Sequence, residues 1–527
     1  MKRILAILLT ALMILSTCGT AMAAEPLSYY AYFCGEHQEG SYIEKYVEEA
    51  LDLELDVRKV AHTDLEAVNL MVAQDMPECG WYALTWDFMN DQEMVRTIPI
   101  DMVREYAPSL AAYMDENPVL WALATDAEDP TQLRYLPSLA QTTTQLYRKC
   151  YFLRYDWIQA LGIDLGINVE QVDERLYAGD KGLSMEKFIE VLDKFINNDP
   201  DGNGVADTVG YTYDYTQLLS AFGIIDEIME VDGKATQWFT HPNMKQMLLK
   251  LQEMYAAGLI YPEIFTTEIA QEREMMNNGV TGVLVSSNPN TLNSWANTRP
   301  PRTILDDPTS TATLLMIPGI ADETGKTPRT GYFSDLSVEY FFVRWDVTDE
   351  KLATILKFYE WTNWNKDLDV MATLWYGEQG VNWEWNEDKT RPVQLKALAN
   401  GEEDAQIFCR DTQVGTCWEW VVCEPQMMVG KDYFLKPADG MWNKEQVLPY
   451  KQDVFNVTNA AVIQNEYKAD WEMIYKAYFM DVIMGQKNVE ADWDAYIAEL
   501  NDVGYADYLA EIEKAPVVTE LLAELAK

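Results

Sequence analysis

A nine-residue loop near the middle of the chain is dense in side-chain oxygen atoms. It reads Asp-Pro-Asp-Gly-Asn-Gly-Val-Ala-Asp over residues 199–207. Counted from its first residue, carboxylate or amide oxygens stand at positions 1, 3, 5 and 9, and glycine stands at position 6. This is the spacing of an EF-hand calcium loop, in which alternate residues of a curled backbone point inward and glycine takes the sharp turn. The loop therefore predicts one structural Ca²⁺ ion.

The motif is incomplete at its end. Position 12, where an EF-hand places a bidentate glutamate, is Gly210. Water or residues just after the loop must then complete the shell, and we expect the ligands to be Asp199, Asp201, Asn203, the carbonyl of Val205, Asp207 and Thr208. The alternative is a metal-free turn, in which aspartate and asparagine side chains bond to their own backbone.

The elements on either side of the loop differ from those of an EF-hand. Ser184 is a helix-capping residue type, and the apolar residues after it recur at helical spacing up to the loop: Met185, Phe188, Ile189, Leu192, Phe195 and Ile196. Residues 208–213 are β-branched and aromatic, which favours an extended segment. The predicted arrangement is helix, loop, strand.

Strand and helix patterns alternate through the first part of the chain. Strands are predicted at 26–34, 53–57 and 81–84, and capping boxes at Ser41–Glu44 and Thr63–Glu66 open helices between them. This alternation predicts parallel sheets with helices on both faces. Beyond residue 345 the balance shifts to helix, with apolar stripes at 352–364, 471–484 and 493–503.

The first 23 residues have the features of a secretory signal peptide. Lys2 and Arg3 precede an apolar run over 4–15, and Ala21-Met22-Ala23 is a small-x-small cleavage site. The mature protein is therefore expected outside the cytoplasm, cleaved after Ala23. An alternative is cleavage and lipidation at Cys18, because residues 15–18 approximate a bacterial lipoprotein site. No other apolar run is long enough to span a bilayer.

Charge and aromatic content limit the classes of partner. The chain has 85 acidic and 40 basic residues, and its formal net charge of −45 disfavours nucleic acid and other polyanions. Aromatic residues make up 12% of the sequence, including 17 tryptophans and 30 tyrosines. This is more than core packing ordinarily needs, and it is typical of a chain that presents aromatic faces to a ligand.

The sequence contains no recognisable catalytic motif. It has no nucleophile elbow, HExxH, P-loop or GxGxxG pattern, and its three histidines, His37, His62 and His241, leave little general-base capacity near neutral pH. A secreted glycoside hydrolase would need one defined carboxylate pair, and nothing in the sequence selects one. A binding protein rather than an enzyme is predicted, with a hydrolase or a carbohydrate-binding sensor or adhesin as the alternatives.

Short motifs in a fixed order resemble those of a known family. They are Ala73–Glu78, Ile98–Ile100, Tyr106–Leu110, Tyr135–Pro137, Arg154–Trp157 with Leu161-Gly162, Asp199–Asp207, Asn278–Gly282 and Trp375–Trp383. In this order they resemble the extracellular solute-binding proteins (family 1) of bacterial ABC importers, in particular the LplA-like oligosaccharide-binding branch. The resemblance covers most of the mature chain.

The resemblance implies a two-lobed, periplasmic-binding-protein-like (type 2) α/β fold. Each lobe would be a mostly parallel sheet flanked by helices, with a helix-rich C-terminal part. Lobe 1 would comprise residues 24–145 and 279–345, and lobe 2 residues 146–278 and 346–527 with the calcium-type loop. Such a protein would be a monomer that closes on a carbohydrate, expected to be an oligosaccharide, and delivers it to the permease subunits of an ABC importer.

The resemblance also suggests which residues border the ligand. Sugar rings offer flat CH faces and hydroxyl edges, so aromatic side chains beside polar ones suit them. The expected ligand-binding residues are Trp375, Tyr376, Glu378, Trp383, Trp295, Trp418, Trp81 and His37, with Trp375 and Trp383 foremost. Core packing is the alternative for each tryptophan.

Six cysteines remain after removal of the predicted signal peptide, and they permit disulfides in an exported protein. In the implied fold Cys34 and Cys79 lie near the ends of neighbouring strands, which suggests a bridge between them. Buried reduced thiols are the alternative.

Overall fold

The computed structural model describes most of the chain outside its N-terminal segment. The described residues are 24–31, 39–61, 64–81, 89–90, 92–116, 118–126, 128–138, 150–226, 228–287, 289–292, 299–327, 339–365, 367–387, 389, 392–395, 450–451, 458–517, 520–521 and 524. Everything below concerns these residues.

Strands and helices alternate as far as residue 343, and helices dominate after it. The strands are β1 Glu25–Tyr30, β2 Leu53–Val57, β3 Cys79–Trp81, β4 Ile98–Pro99, β5 Gln132–Leu133, β6 Leu136–Ser138, β7 Cys150–Arg154, β8 Val169–Gln171, β9 Leu176–Gly179, β10 Leu183–Ser184, β11 Ile228–Val231, β12 Lys234–Gln237, β13 Val283–Ser287, β14 Leu314–Ile317, β15 Ile320–Ala321, β16 Glu339–Val343, β17 Trp383–Trp385, β18 Pro392–Gln394 and β19 Tyr450–Lys451. The helices are α1 Tyr42–Leu51, α2 Leu65–Asp75, α3 Ile100–Tyr106, α4 Pro108–Glu116, α5 Pro118–Ala124, α6 Tyr155–Ala160, α7 Met185–Asn197, α8 Met244–Ala256, α9 Ile269–Asn277, α10 Arg302–Asp306, α11 Asp349–Asn363, α12 Leu368–Tyr376, α13 Thr458–Ile483, α14 Val489–Asp502 and α15 Tyr505–Ile512.

The helix starts follow the capping residues closely. The Ser41 hydroxyl accepts a hydrogen bond from the Glu44 amide at 3.2 Å, and Ser184 accepts one from Lys187 at 3.2 Å. Both predicted helix starts are therefore confirmed. The second predicted box is shifted, because α2 is capped by the Asp64 carboxylate, which accepts from the Ala67 amide at 3.0 Å.

The first sheet has the strand order β2-β1-β3-β16-β6. Strand β1 is parallel to β2 and β3, whereas β16 is antiparallel to both β3 and β6. In β2 the apolar residues Leu53, Leu55 and Val57 are buried and the acidic residues between them are exposed, so one face of this edge strand meets solvent. The carboxyl ends of β1, β2 and β3 share one edge of the sheet.

The second sheet has the order β13-β7-β14-β9-β8. Its strand β14 is buried along its whole length, as expected when both faces of a sheet are covered. Strands β13 and β14 both pair with β7. The boundary predicted for residues 279–345 is corrected accordingly, since 283–287 and 314–317 belong with the second sheet and only the end of that segment returns to the first.

Both sheets are mixed rather than mostly parallel, which corrects the sequence-based expectation. In the second sheet β9 and β14 are parallel, whereas the β13–β7, β7–β14 and β8–β9 pairs are antiparallel. The reason is the path of the chain. The chain passes through the second sheet before it forms β16. This strand enters the first sheet at the carboxyl edge of β1 and β3, and it is therefore antiparallel to them.

Helix α11 packs on the first sheet through aromatic side chains. Phe341 of β16 contacts Trp81 edge-on at 5.2 Å between ring centroids, and Tyr359 of α11 lies 5.0 Å from Phe341 and 5.6 Å from Trp81. Residues 349–363 therefore belong with the first sheet, although the sequence-based division assigned them to the second lobe.

The helix-rich C-terminal part is confirmed. Helices α13 and α14 pack with α8, and α15 packs on α13 and α14. The rings of Tyr478 and Tyr496 stack 4.3 Å apart with their planes at 5°. The Trp471 indole donates a hydrogen bond to the Val503 carbonyl at 2.8 Å. Within the described part of the chain, no helix combines the length and the apolar composition needed to cross a membrane.

Candidate functional site

The oxygen-rich loop follows α7 directly and curls on its own backbone. Asp199 adopts a left-handed conformation with φ of 46°, and Gly202 and Gly204 also have positive φ. The Asp199 carboxylate accepts hydrogen bonds from the amides of Asn203 at 3.1 Å and Gly204 at 2.9 Å, and the Asn203 side-chain oxygen accepts one from Val205 at 2.7 Å. The predicted helix and tight loop are both present.

The segment after the loop is extended, and backbone hydrogen bonds hold it to two other segments of the same chain. The Val209 amide donates to the Val280 carbonyl at 2.9 Å, and the Tyr211 amide donates to Leu259 at 2.8 Å. A Cβ atom on Gly210 would lie 2.0 Å from the Leu259 carbonyl oxygen. Close backbone approach thus requires glycine here and excludes the glutamate that an EF-hand would carry at this position.

The donor chemistry of the loop fits a hard cation, although its carboxylates do not converge in this conformation. Among the described residues no group of three or more His, Cys, Asp or Glu side chains is arranged to hold a metal ion. Asp199, Asp201, Asn203 and Asp207 all offer side-chain oxygen atoms, as Ca²⁺ prefers. Asp199 is partly exposed and the other three are exposed, so water can complete a shell. Thr208 is buried.

Trp383 lies inside the protein, under a tight turn. Its indole has no exposed surface, and its Nε1 donates to the Gly377 carbonyl at 2.8 Å. The turn is closed by the Asn382 side chain, whose oxygen accepts from the Glu378 amide at 2.9 Å. Trp383 therefore does not present to a ligand the stacking face that the sequence predicts. Its edge is hydrogen-bonded to the turn and its faces are packed in the core.

The other expected ligand-binding residues are distributed as follows. Trp81 has no exposed surface and packs in the first sheet's aromatic core, so it too presents no face to a ligand here. Glu378 is exposed. Trp375 and Tyr376 end α12, and their side chains lie outside the described part of the structure, as do His37, Trp295 and Trp418 entirely. For these five the structure leaves the prediction as it stood.

The predicted bridge at Cys79 is wrong. Cys79 is a free thiol with no exposed surface, and its Sγ lies 3.9 Å from the Ser28 carbonyl oxygen. Burial raises the pKa of the Cys79 thiol well above its usual value, and the Glu78 carboxylate adds to this. Cys34 lies outside the described residues. The alternative of a buried reduced thiol therefore applies to Cys79.

Three aromatic side chains that the sequence interpretation missed form a surface near Glu378, in the turn above Trp383. Tyr42 and Tyr46 of α1 lie 6.1 Å apart with ring planes 11° from parallel, and Trp361 of α11 lies 5.8 Å from Tyr46. Tyr42 is 36% exposed, and the other two rings are partly exposed. We call Tyr42, Tyr46 and Trp361 the aromatic shelf. The four-residue spacing of Tyr42 and Tyr46, which places them on one face of α1, was the only local feature of the sequence that could have predicted this surface.

Carboxylates act on the two tyrosines of the aromatic shelf. Burial raises the pKa of Tyr42, and the negative charges of Glu378 and Glu49 raise it further. The pKa of Tyr46 is also raised by burial, with further contributions from Tyr42, Asp367 and Asp369. The Asp369 carboxylate is fixed in place, since it accepts a hydrogen bond from the Trp385 indole at 2.6 Å. Aromatic faces beside exposed carboxylates are suited to hydroxyl-rich rings.

Comparison with known sequences gives two relatives. No protein-family model matches the chain. The chain is 23% identical over 460 residues to the fructooligosaccharide ABC transporter substrate-binding protein FusA of Streptococcus pneumoniae serotype 4, covering 81% of this chain and 77% of FusA. It is 24% identical over 256 residues to lipoprotein LipO of Bacillus subtilis strain 168, covering 46% of this chain and 45% of LipO.

Solved structures share the whole architecture. An HMO-binding, ABC-transporter-associated solute-binding protein from Bifidobacterium longum infantis has a TM-score of 0.69 at 14% identity, covering 93% of this chain and 98% of that one. FusA in complex with kestose has a TM-score of 0.68 at 19% identity, covering 95% and 100%. The chain shares the fold of these ABC-transporter solute-binding proteins. Its two-lobed α/β fold is thereby shown as well.

The name of another solved structure of the same fold mentions an EF-hand. A FusA EF-hand mutant in complex with fructo-nystose has a TM-score of 0.67 at 18% identity, covering 95% of this chain and 100% of that one. A protein of the same fold therefore carries a loop described as an EF-hand.

Because Trp383 is fully buried, we expect its replacement to act on stability. Trp383→Ala should lower the free energy of unfolding by about 3–5 kcal/mol, the usual cost of emptying a large aromatic site in a core. Urea denaturation followed by circular dichroism measures this. Val381→Ala, an exposed position in the same turn, is the matched control and should change the value by less than about 0.5 kcal/mol. Equal effects of the two variants would contradict the buried position of Trp383.

Proposed function

We propose that this chain is an exported receptor that captures an oligosaccharide and delivers it to an ABC importer. The observation that carries the proposal is the similarity along 81% of the chain to a substrate-binding protein named for fructooligosaccharide. The receptor acts as a monomer on the permease subunits, and its task is binding without chemistry.

The surface chemistry of the first lobe supports a carbohydrate ligand. The aromatic shelf offers flat apolar faces for the CH side of a sugar ring, and Glu378 and Asp369 offer oxygens to its hydroxyl groups. The solved proteins of the same fold include one named as HMO binding and one in complex with kestose, which makes such sugars rational first probes.

A panel of oligosaccharides tests this function. Kestose, nystose and lacto-N-tetraose are added to the purified chain, and the melting temperature is followed together with the sugar composition of the solution. Binding to the folded state alone should raise stability by about 2.7 kcal/mol at a ligand concentration one hundred times the Kd. At least one probe should raise the melting temperature while remaining chemically intact. Cleavage of a probe, or no shift with any member of a broader glycan panel, would contradict the proposal.

We further propose that the loop at 199–207 binds one structural Ca²⁺ ion. The side chains of Asp199, Asp201, Asn203 and Asp207, the Val205 carbonyl and Thr208 would hold it, with water completing the shell because Gly210 cannot supply a carboxylate. Three carboxylates close together repel one another without a cation, so the ion would stabilise the loop and, through it, the end of α7.

Removal of calcium tests this site. A chelator should lower the melting temperature of the wild-type chain, and added Ca²⁺ should restore it. Asp201→Ala should abolish this dependence and the bound calcium seen by elemental analysis. Asp322→Ala is the control, because Asp322 shapes another exposed turn by accepting bonds from Thr324 and Lys326. A chelator effect that is absent in wild type, or unchanged in Asp201→Ala, would overturn the proposal.

The proposed export signal predicts the mass of the mature protein. Cleavage after Ala23 gives a chain beginning at Ala24 with no lipid, whereas processing at Cys18 adds a lipid anchor, as the name of the relative LipO suggests for that protein. We expect the unlipidated form, and intact-mass measurement of protein secreted from a bacterial host decides between them. A full-length chain retained in the cytoplasm would contradict export.

A further inference from the structure

Carboxylates from two distant parts of the chain act on the tyrosines of the aromatic shelf. On α1, Glu49 is three residues from Tyr46 and seven from Tyr42. Asp369 is in the first turn of α12, Asp367 precedes that helix, and Glu378 follows it. All four acidic residues are exposed. Each is among the groups whose charge acts on the Tyr42 or Tyr46 hydroxyl.

The described cation nearest in sequence to the aromatic shelf does not offset this charge. Lys45 stands between the two tyrosines in sequence, but its ammonium nitrogen lies beside Gly40, 3.6 Å from the position that a Cβ atom on this glycine would take. An anion placed on this surface would meet the like charges of these exposed carboxylates, which disfavours its binding.

From this arrangement we infer that the aromatic shelf is a sugar-ring subsite that selects uncharged oligosaccharides and rejects those carrying a carboxylate, sulfate or phosphate group. The inference rests on the proposed carbohydrate-binding function and names its ligand class. The ring stack supplies affinity through the apolar face of the sugar. The carboxylates supply hydrogen-bond acceptors for hydroxyl groups and, at the same time, repulsion against anionic competitors.

The geometry of the rings supports a subsite rather than ordinary surface packing. Tyr42 and Tyr46 lie nearly parallel, and Trp361, whose ring plane is tilted by 49° from that of Tyr46, joins them from a helix that begins more than 300 residues later in the chain. An aromatic residue on an exposed helix face exposes apolar area to water, and three in contact concentrate that exposure at one place. A sugar ring seated on them would remove this area from water.

Matched pairs of sugars test the selectivity. Lacto-N-tetraose is compared with its monosialylated derivative, and galactotetraose with tetragalacturonate, by isothermal titration at low and at physiological salt. The uncharged member of a pair should bind at least about tenfold more tightly, and the difference should shrink as salt screens the carboxylates. The double variant Glu378→Gln with Asp369→Asn should reduce the discrimination by about tenfold while the uncharged sugar still binds.

Variants of the rings test the location. Tyr42→Ala and Trp361→Ala should each weaken binding of the uncharged sugar by about tenfold, and Tyr42→Phe, which keeps the ring, should weaken it much less. Trp345→Ala is the matched control, because Trp345 is 63% exposed and follows β16 at the opposite edge of the sheet. It should leave affinity unchanged, and circular dichroism verifies that all variants are folded.

The outcomes separate the two proposals. If no sugar of either class binds, the proposed function fails. If an anionic sugar binds as tightly as its uncharged partner, or the Glu378→Gln with Asp369→Asn variant leaves the discrimination unchanged, the selectivity inference is overturned while the receptor function stands. If Tyr42→Ala and Trp361→Ala bind like wild type, the subsite is located elsewhere and the inference is overturned.

Discussion

The first lobe depends on one long-range pairing, the insertion of β16 between β3 and β6. The chain leaves the first sheet after β6, builds the second sheet over 150–317, and returns as β16. Backbone hydrogen bonds on both sides hold this strand, and Phe341 on it packs between Trp81 and Tyr359. Without this return, β6 would have no partner strand in the first sheet.

The position of the aromatic shelf follows from the same pairing. Because β16 runs antiparallel to β3, the helix after it, α11, runs back toward the carboxyl edge of β1 and β3 and ends there at Asn363. This brings Trp361, and then Asp369 and Glu378, beside the start of α1. Two segments more than 300 residues apart thus supply one surface, which a ligand bound there would help to hold together.

Local patterns in the sequence predicted the local structure well. Capping residues at 41 and 184, the alternation of β2 and the oxygen-rich loop after α7 depend on neighbours in sequence, so spacing alone reveals them. Sheet membership was not predictable in this way. No local feature of β13 or β14 indicates which sheet the strand joins, and the predicted lobe boundary was wrong at these strands.

The tryptophans illustrate the same limit. Trp383 was a reasonable stacking residue by composition, but whether an indole faces solvent or core is decided by contacts with distant residues, and here a turn closes over it. Tyr42 and Trp361 escaped notice for the opposite reason, since each is unremarkable until α11 is placed beside α1. Gly210 gave a clear departure from the EF-hand pattern, and its cause, the carbonyl of Leu259, lies far along the chain.

The two surfaces proposed for ligands both consist largely of oxygen donors, yet their charges suit different partners. The loop at 199–207 concentrates carboxylates within a few residues, as a cation requires, whereas the aromatic shelf spaces them around apolar rings. The net charge of −45 reinforces both preferences, because it attracts cations and repels anions at long range. The acidic composition therefore contributes to specificity as well as solubility.

The most direct test of this account is amide hydrogen exchange of the chain with and without a saturating, uncharged oligosaccharide. The account predicts that peptides covering 42–51 and 361–385 become protected together, because the sugar bridges two segments that meet only at the aromatic shelf. Saturating binding with no change in either segment, and protection confined to other parts of the chain, would contradict it.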